Sequence, residues 1–164
     1  MKINIAQLAE GHHHLDLRGQ PASVGLDDGE RFRDEISVAL ELEKMRTRLY
    51  IRLEAHTQAH YVCDRCLEPF VAAIAEKFSF LYTEDSDLIS PDDFIYAYDA
   101  SRPEIDIAPA VKETILLGVP IKFLCSEECK GLCPQCGTNL NQSRCACKTS
   151  STDPRWDALK KLIK

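Results

Sequence analysis

No stretch of about 18 consecutive apolar residues occurs in this chain of 164 residues, so no helix of membrane-spanning length is predicted. The first twenty residues hold no basic segment leading into an apolar run. The expectation is therefore neither a secretory signal nor a membrane anchor, and a cytoplasmic setting. Basic residues are the minority charge, 20 Lys and Arg against 26 Asp and Glu, for a formal net charge of -6. Clustered Lys and Arg that would neutralise phosphates over a whole surface are missing, which argues against general nucleic-acid gripping. Also missing is a constellation of His and carboxylate that leaves an open coordination position, so a metal-dependent hydrolase is the weakest functional class.

What is present reads as an ordinary globular protein, with 45% apolar and 28% charged residues, enough to bury a core in one body with a small appendage. The charge is uneven. Glu84 to Asp106 holds eight acidic side chains against Arg102 alone, while from Pro120 onward basic residues outnumber acidic ones. Any direct RNA contact is expected from that tail, which includes Lys130, Arg144 and Lys148.

Periodicity points to strands. Ile3 and Ile5, then Leu15 and Leu17, alternate with polar residues around Glu10-Gly11, which predicts two short strands about a turn. His12, His13 and His14 fall in the second of these, where successive side chains face opposite ways, and read as surface residues. After a loop from Gln20 to Glu35, alternation resumes at Val38, Leu40 and Leu42. From Leu49 to Cys63 the odd positions are mostly apolar and the even ones carry Arg52, Glu54, His56, Gln58 and His60, the half-buried antiparallel pattern. His56 and His60 are read as solvated rather than as ligands. Alternation restarts at Phe70, Ala72 and Ile74, so Cys63 and Cys66 are placed at the turn of a long hairpin. An acidic loop, a strand bearing Phe94, Tyr96 and Tyr98, and a helix over Val111 to Leu117 ended by Gly118 and Pro120 follow. Asp153 and Pro154 open a final short helix whose stripe of Trp156, Leu159, Leu162 and Ile163 is expected to dock on the body.

The reducing setting decides how eight cysteines are read: clustered thiols hold metal more often than they form disulfides there. Cys133 and Cys136, followed by Cys145 and Cys147, supply four soft ligands that complete a tetrahedral zinc ion, with Gly137 permitting a turn that brings amides toward sulfur. A closed coordination shell implies a scaffold, not catalysis. Leu140 is the apolar residue available beneath this loop. Cys63, Cys66, Cys125 and Cys129 are assigned to a second zinc site, although a competing partition moves Cys125 or Cys129 into the first and leaves others free. Eight thiolates and two Zn²⁺ would take the net charge to about -10. An enzymatic alternative, dithiol redox chemistry by Cys63 and Cys66, normally uses a helix N-terminus to lower the thiol pKa, whereas Pro69 and the flanking alternation predict a hairpin turn.

The segments Cys63-Asp64-Arg65-Cys66-Leu67-Glu68-Pro69-Phe70 and Cys125-Ser126-Glu127-Glu128-Cys129-Lys130-Gly131-Leu132-Cys133-Pro134-Gln135-Cys136-Gly137, with Asn139-Leu140-Asn141, Cys145-Ala146-Cys147 and Asp153-Pro154-Arg155-Trp156, carry a further signal. Over nearly the whole chain they resemble the YceD-like large ribosomal RNA subunit accumulation proteins of bacteria and plastids, long catalogued as a domain of unknown function. The resemblance implies a role in 23S rRNA accumulation and assembly of the large ribosomal subunit, with no reaction. The partners expected are a ribosomal protein, the 23S rRNA precursor, or both, without a small-molecule substrate. The expected fold is α+β: an antiparallel sheet body over 1–120 with a long hairpin and one helix, a zinc-ribbon-like module over 121–150 and a C-terminal helix over 151–164.

Overall fold

The computed structural model describes residues 1–99 and 101–147; the helix expected from Asp153 lies outside the described residues. The described elements are β1 (Lys2–Asn4), β2 (Gly11–Gly19), β3 (Ile36–Met45), β4 (Arg48–Val62), β5 (Pro69–Thr83), β6 (Ile95–Ala97), β7 (Glu104–Asp106) and α1 (Ala108–Leu117). Five strands form one sheet in the order β2-β3-β4-β5-β6, and β1 pairs with β7 in a separate two-stranded sheet. The class is α+β, as the alternation predicted. None of the described helices is long and apolar enough to cross a membrane.

The alternation builds a two-layer core. The inner face of β4 presents Leu49, Ile51, Leu53, Ala55, Ala59 and Tyr61, all buried. Ile36, Val38, Leu40 and Leu42 of β3 extend this face, and Ile74, Phe80 and Tyr82 of β5 complete it. Across it lies α1, which buries Ala110, Val111, Thr114 and Ile115. Thr114, the polar member of that set, donates its hydroxyl to the Ala110 carbonyl at 2.9 Å, so its burial leaves no orphaned group. Each large aliphatic side chain buried this way contributes about 1.5–3 kcal/mol. The helix begins earlier than Val111 because Pro109 suits a first turn whose amides have no intrahelical partner.

Three expectations are corrected. Ile3 and Ile5 do not form a hairpin with Leu15 and Leu17: Ile3 pairs with Ile105 of β7, and Leu15 pairs with Leu40 of β3. Ile3 and Ile5 are buried, at 5% and 1% exposure, whereas Leu15 and Leu17 are only half-buried, so the two segments serve different layers. The five-stranded sheet is mixed, because β6 runs parallel to β5, with Leu81 opposite Ile95. Finally, the strand carrying Tyr96 is short: Phe94 precedes it in a left-handed conformation at φ 59°, and the acidic segment before it contains two 3₁₀ turns, Ser86–Leu88 and Pro91–Asp93.

Candidate metal centres

The long hairpin positions the first two sulfurs. β4 and β5 pair over their full length, from Arg48 with Thr83 to Val62 with Pro69, and Cys63 and Cys66 occupy the tip. The Cys63 amide donates to the Glu68 carbonyl at 3.0 Å, and the Leu67 amide donates to the Cys63 carbonyl at 2.9 Å. The Cys133 turn repeats this pattern: its amide donates to the Thr138 carbonyl at 2.9 Å, and the Gly137 amide to the Cys133 carbonyl at 2.9 Å. Two matching knuckles therefore present two pairs of cysteines.

Each knuckle is completed by a more distant pair. Cys63, Cys66, Cys125 and Cys129 bring their sulfurs within 4.8 Å of one another, and so do Cys133, Cys136, Cys145 and Cys147. The Cys63 and Cys129 sulfurs lie 3.8 Å apart, those of Cys66 and Cys125 3.6 Å. A tetrahedral ion with metal–sulfur bonds of about 2.3 Å has sulfur–sulfur edges of about 3.8 Å, so the four-thiol groups have the spacing a metal ion requires. The competing partition, with Cys125 or Cys129 in the other group, is not the arrangement these residues adopt.

The electrostatics point the same way. Cys63 is drawn down to about 6, first by the Cys125 backbone amide, and Cys136 to about 6 by the Thr138 hydroxyl and amide. Their neighbours respond oppositely: Cys125 is pushed up to about 12, first by Cys129 and then by Cys66, and Cys147 to about 12 by Cys136. Thiolates this close repel, and a divalent cation at the centre would allow all four to ionise.

The hairpin tip is tied to the segment that follows α1 by more than sulfur. The Asp64 amide donates to the Phe123 carbonyl at 2.7 Å, and the Phe123 amide returns a bond to Asp64 Oδ2 at 2.8 Å. Phe123 stacks on Tyr61 at 4.5 Å between ring centroids. Arg65 donates to the carbonyls of Glu127 and Cys129, at 3.1 and 2.9 Å. Gly131, at φ 75°, passes so near that an added Cβ would stand 3.0 Å from the Arg65 carbonyl oxygen. Leu124, Leu132 and Phe70 pack against the buried Cys63, Cys66 and Cys129; Leu140, expected to serve beneath the other loop, is only half-buried.

Asn141 is a residue that the cysteine pattern does not single out. Its Nδ2 donates to the Cys129 sulfur at 3.3 Å, while its Oδ1 accepts from the Lys130 amide at 2.8 Å. It thus joins the two cysteine loops, and nothing in the spacing Asn139-Leu140-Asn141 identifies that role. His56 is exposed, as expected, and contacts Glu54 at 3.0 Å, whereas His60 is half-buried and bridges Asp34 and Arg33. Cys63 and Cys66 lie in a strand-to-strand turn, not at a helix N-terminus, and each has a further sulfur within 4 Å.

Comparison with known proteins adds the family context. The family model described as "Large ribosomal RNA subunit accumulation protein YceD" matches residues 51–163. A chloroplastic protein from Zea mays, "Large ribosomal RNA subunit accumulation protein YCED homolog 1", is 29% identical over 81% of this chain and 57% of its own length. Its counterpart in Arabidopsis thaliana is 26% identical over 96% of this chain and 60% of its own. "Uncharacterized protein YlbN" of Bacillus subtilis is 40% identical over 62% of this chain and 59% of its own. The chain thus spans about three-fifths of the length of these relatives. No solved structure matches.

Proposed function

Because the chain belongs to the family of the large ribosomal RNA subunit accumulation protein YceD, we propose that it supports accumulation of 23S rRNA and biogenesis of the large ribosomal subunit as a non-enzymatic, zinc-stabilised adaptor. The observation that carries the mechanism is the pair of four-cysteine groups, each with its sulfurs within 4.8 Å. Four thiolates fill a tetrahedral shell and leave no position for substrate, which is the arrangement of a structural ion. We assign one zinc to Cys133, Cys136, Cys145 and Cys147 and a second to Cys63, Cys66, Cys125 and Cys129. In this reading the ions fix the cysteine-rich segment that follows α1 as a zinc-ribbon-like module on the body formed by 1–120.

In this reading the acidic body holds a basic ribosomal protein, and the tail bases Lys130 and Arg144 touch RNA or protein; the site of action is the cytoplasm. Electrostatic complementarity of this kind speeds encounter and selects partners. The test is complementation. In cells that lack this chain, the wild-type protein should restore the ratio of 23S to 16S rRNA and the large-subunit peak on a sucrose gradient. A Cys63→Ser, Cys133→Ser double variant should not. Failure of the wild-type protein to restore either measure would remove the proposal.

A further inference from the structure

Among the described residues, the outer edge of β5 is open along most of its length. Its inner neighbour β4 pairs with it from Pro69 to Thr83, but its other neighbour β6 reaches only Leu81, Tyr82 and Thr83. The direction of the backbone groups follows from two bonds. Glu68 accepts from Cys63 on the β4 side, and Leu81 donates to the Phe94 carbonyl at 3.2 Å on the opposite side. Alternate residues of a strand point the same way, so Val71, Ala73, Ala75 and Lys77 direct their amides and carbonyls outward with Leu81. Among the described residues, none of these four has a backbone partner on that side.

An unpaired edge of this length is a template for another strand. Its side chains leave room for one: Val71 is 51% exposed, and Ala73 and Ala75 are exposed and small. Its charge selects what comes. Lys77, the basic residue of this stretch, is held by Glu54 of β4 at 2.8 Å, which leaves Glu76 on the other face of the strand. Where the open edge ends, at the bond from Leu81 to Phe94, Asp92 and Asp93 stand immediately before Phe94 and are exposed. Asp85 and Asp87 lie exposed in the same segment.

We propose that this edge accepts an extended, basic segment of a partner protein as an added strand, the backbone of β5 supplying affinity and the acidic segment before β6 supplying selection. The inference rests on the reading of the acidic body as a holder of basic protein, and deepens it to a place and a geometry.

The experiment uses the full, zinc-loaded chain and a synthetic peptide of alternating lysine and valine, with hydrogen exchange read at single amides. The peptide should slow exchange at Val71, Ala73, Ala75 and Lys77 and leave the β2 edge unchanged. Replacing its lysines by glutamate should abolish the effect. Ala73→Pro removes an outward amide without touching the β4 ladder, and should weaken binding by about tenfold or more. N-methylation of the peptide's β5-facing residues should do the same, and that arm holds even if the proline variant folds poorly. Absence of protection, equal protection by the glutamate peptide, or a second copy of this chain occupying the edge in sedimentation would overturn the proposal. The peptide arms test the edge alone and complementation by the wild-type protein tests the rRNA role alone, so the two can fail separately.

Discussion

Leu67 and Gly137 occupy the same place in two matching turns, at φ 58° and 73°, each with its amide 2.9 Å from the carbonyl of the first cysteine of its knuckle. Glycine enters the left-handed region freely, whereas a residue with a Cβ is strained there. Leu67 is also 62% exposed, so little burial offsets that strain. Leu67→Gly should raise stability by about 0.5–1 kcal/mol, the relief of about 1–2 kcal/mol being partly cancelled by glycine's greater entropy when unfolded. Gly137→Ala should do the opposite. Thermal unfolding of the zinc-loaded proteins decides it, and a loss of stability in Leu67→Gly would sink the argument.

Asn141 should matter to a metal it does not ligate. Asn141→Ala removes the donor to the Cys129 sulfur and the acceptor for the Lys130 amide. Partners of this outer kind are worth about 10–100-fold in metal affinity. Asn141→Asp keeps the acceptor but sets a negative charge beside a thiolate, and should weaken binding at least as much. Competition against a chromogenic chelator measures both, and unchanged affinity in both would remove the role.

Metal removal should act unequally on the chain. The native protein is expected to hold two zinc ions; Cys63→Ser and Cys133→Ser should each lose one, as read by elemental analysis. A strong chelator should free the amides of residues 121–147 to exchange while those of β4 stay protected, because the body buries its own apolar cluster across β3, β4, β5 and α1. Zinc bound by fewer than eight protected thiols would contradict this partition.

Alkali should destabilise the body through Tyr82. Burial, and then the negative Asp106 and Glu113, push its phenol up to about 12, against about 10 in an unfolded chain. The folded state therefore keeps the proton longer. Its contribution is complete below about pH 10 and is lost as pH rises toward about 12, to the extent of about 1–3 kcal/mol. Tyr82→Phe, which cannot ionise, should flatten that part of the profile in denaturant titrations. An unchanged slope would assign the alkaline loss to other groups, such as Tyr96 beside Glu113.

Much of this protein is legible residue by residue. The alternation from Leu49 to Cys63 and from Phe70 to Tyr82 specified β4 and β5, because a strand with one face in the core must repeat every two residues. It also placed Cys63 and Cys66 at the hairpin tip. Pro109 and the apolar run after it marked the helix. The N-terminal pairing was not legible: Ile3 and Ile5 alternate as any short strand does, and their partner, Ile105, lies about a hundred residues away.

The cysteine pairs divide along the same line. By itself the sequence determined that Cys63 with Cys66, and Cys133 with Cys136, can present adjacent sulfurs, since two intervening residues at a turn let both face one point. The sequence also assigned a far pair to each group, but only the tertiary structure decided against the partition that moves Cys125 or Cys129 into the other. Cys125 and Cys129 reach the hairpin tip because Asp64 binds the backbone of Phe123, Arg65 binds that of Glu127 and Cys129, and Gly131 has no side chain to keep the two segments apart. None of those contacts has a period or a spacing. They exist because the segment after α1 meets the tip of a hairpin about sixty residues earlier in the chain, where packing rather than local pattern sets who meets whom.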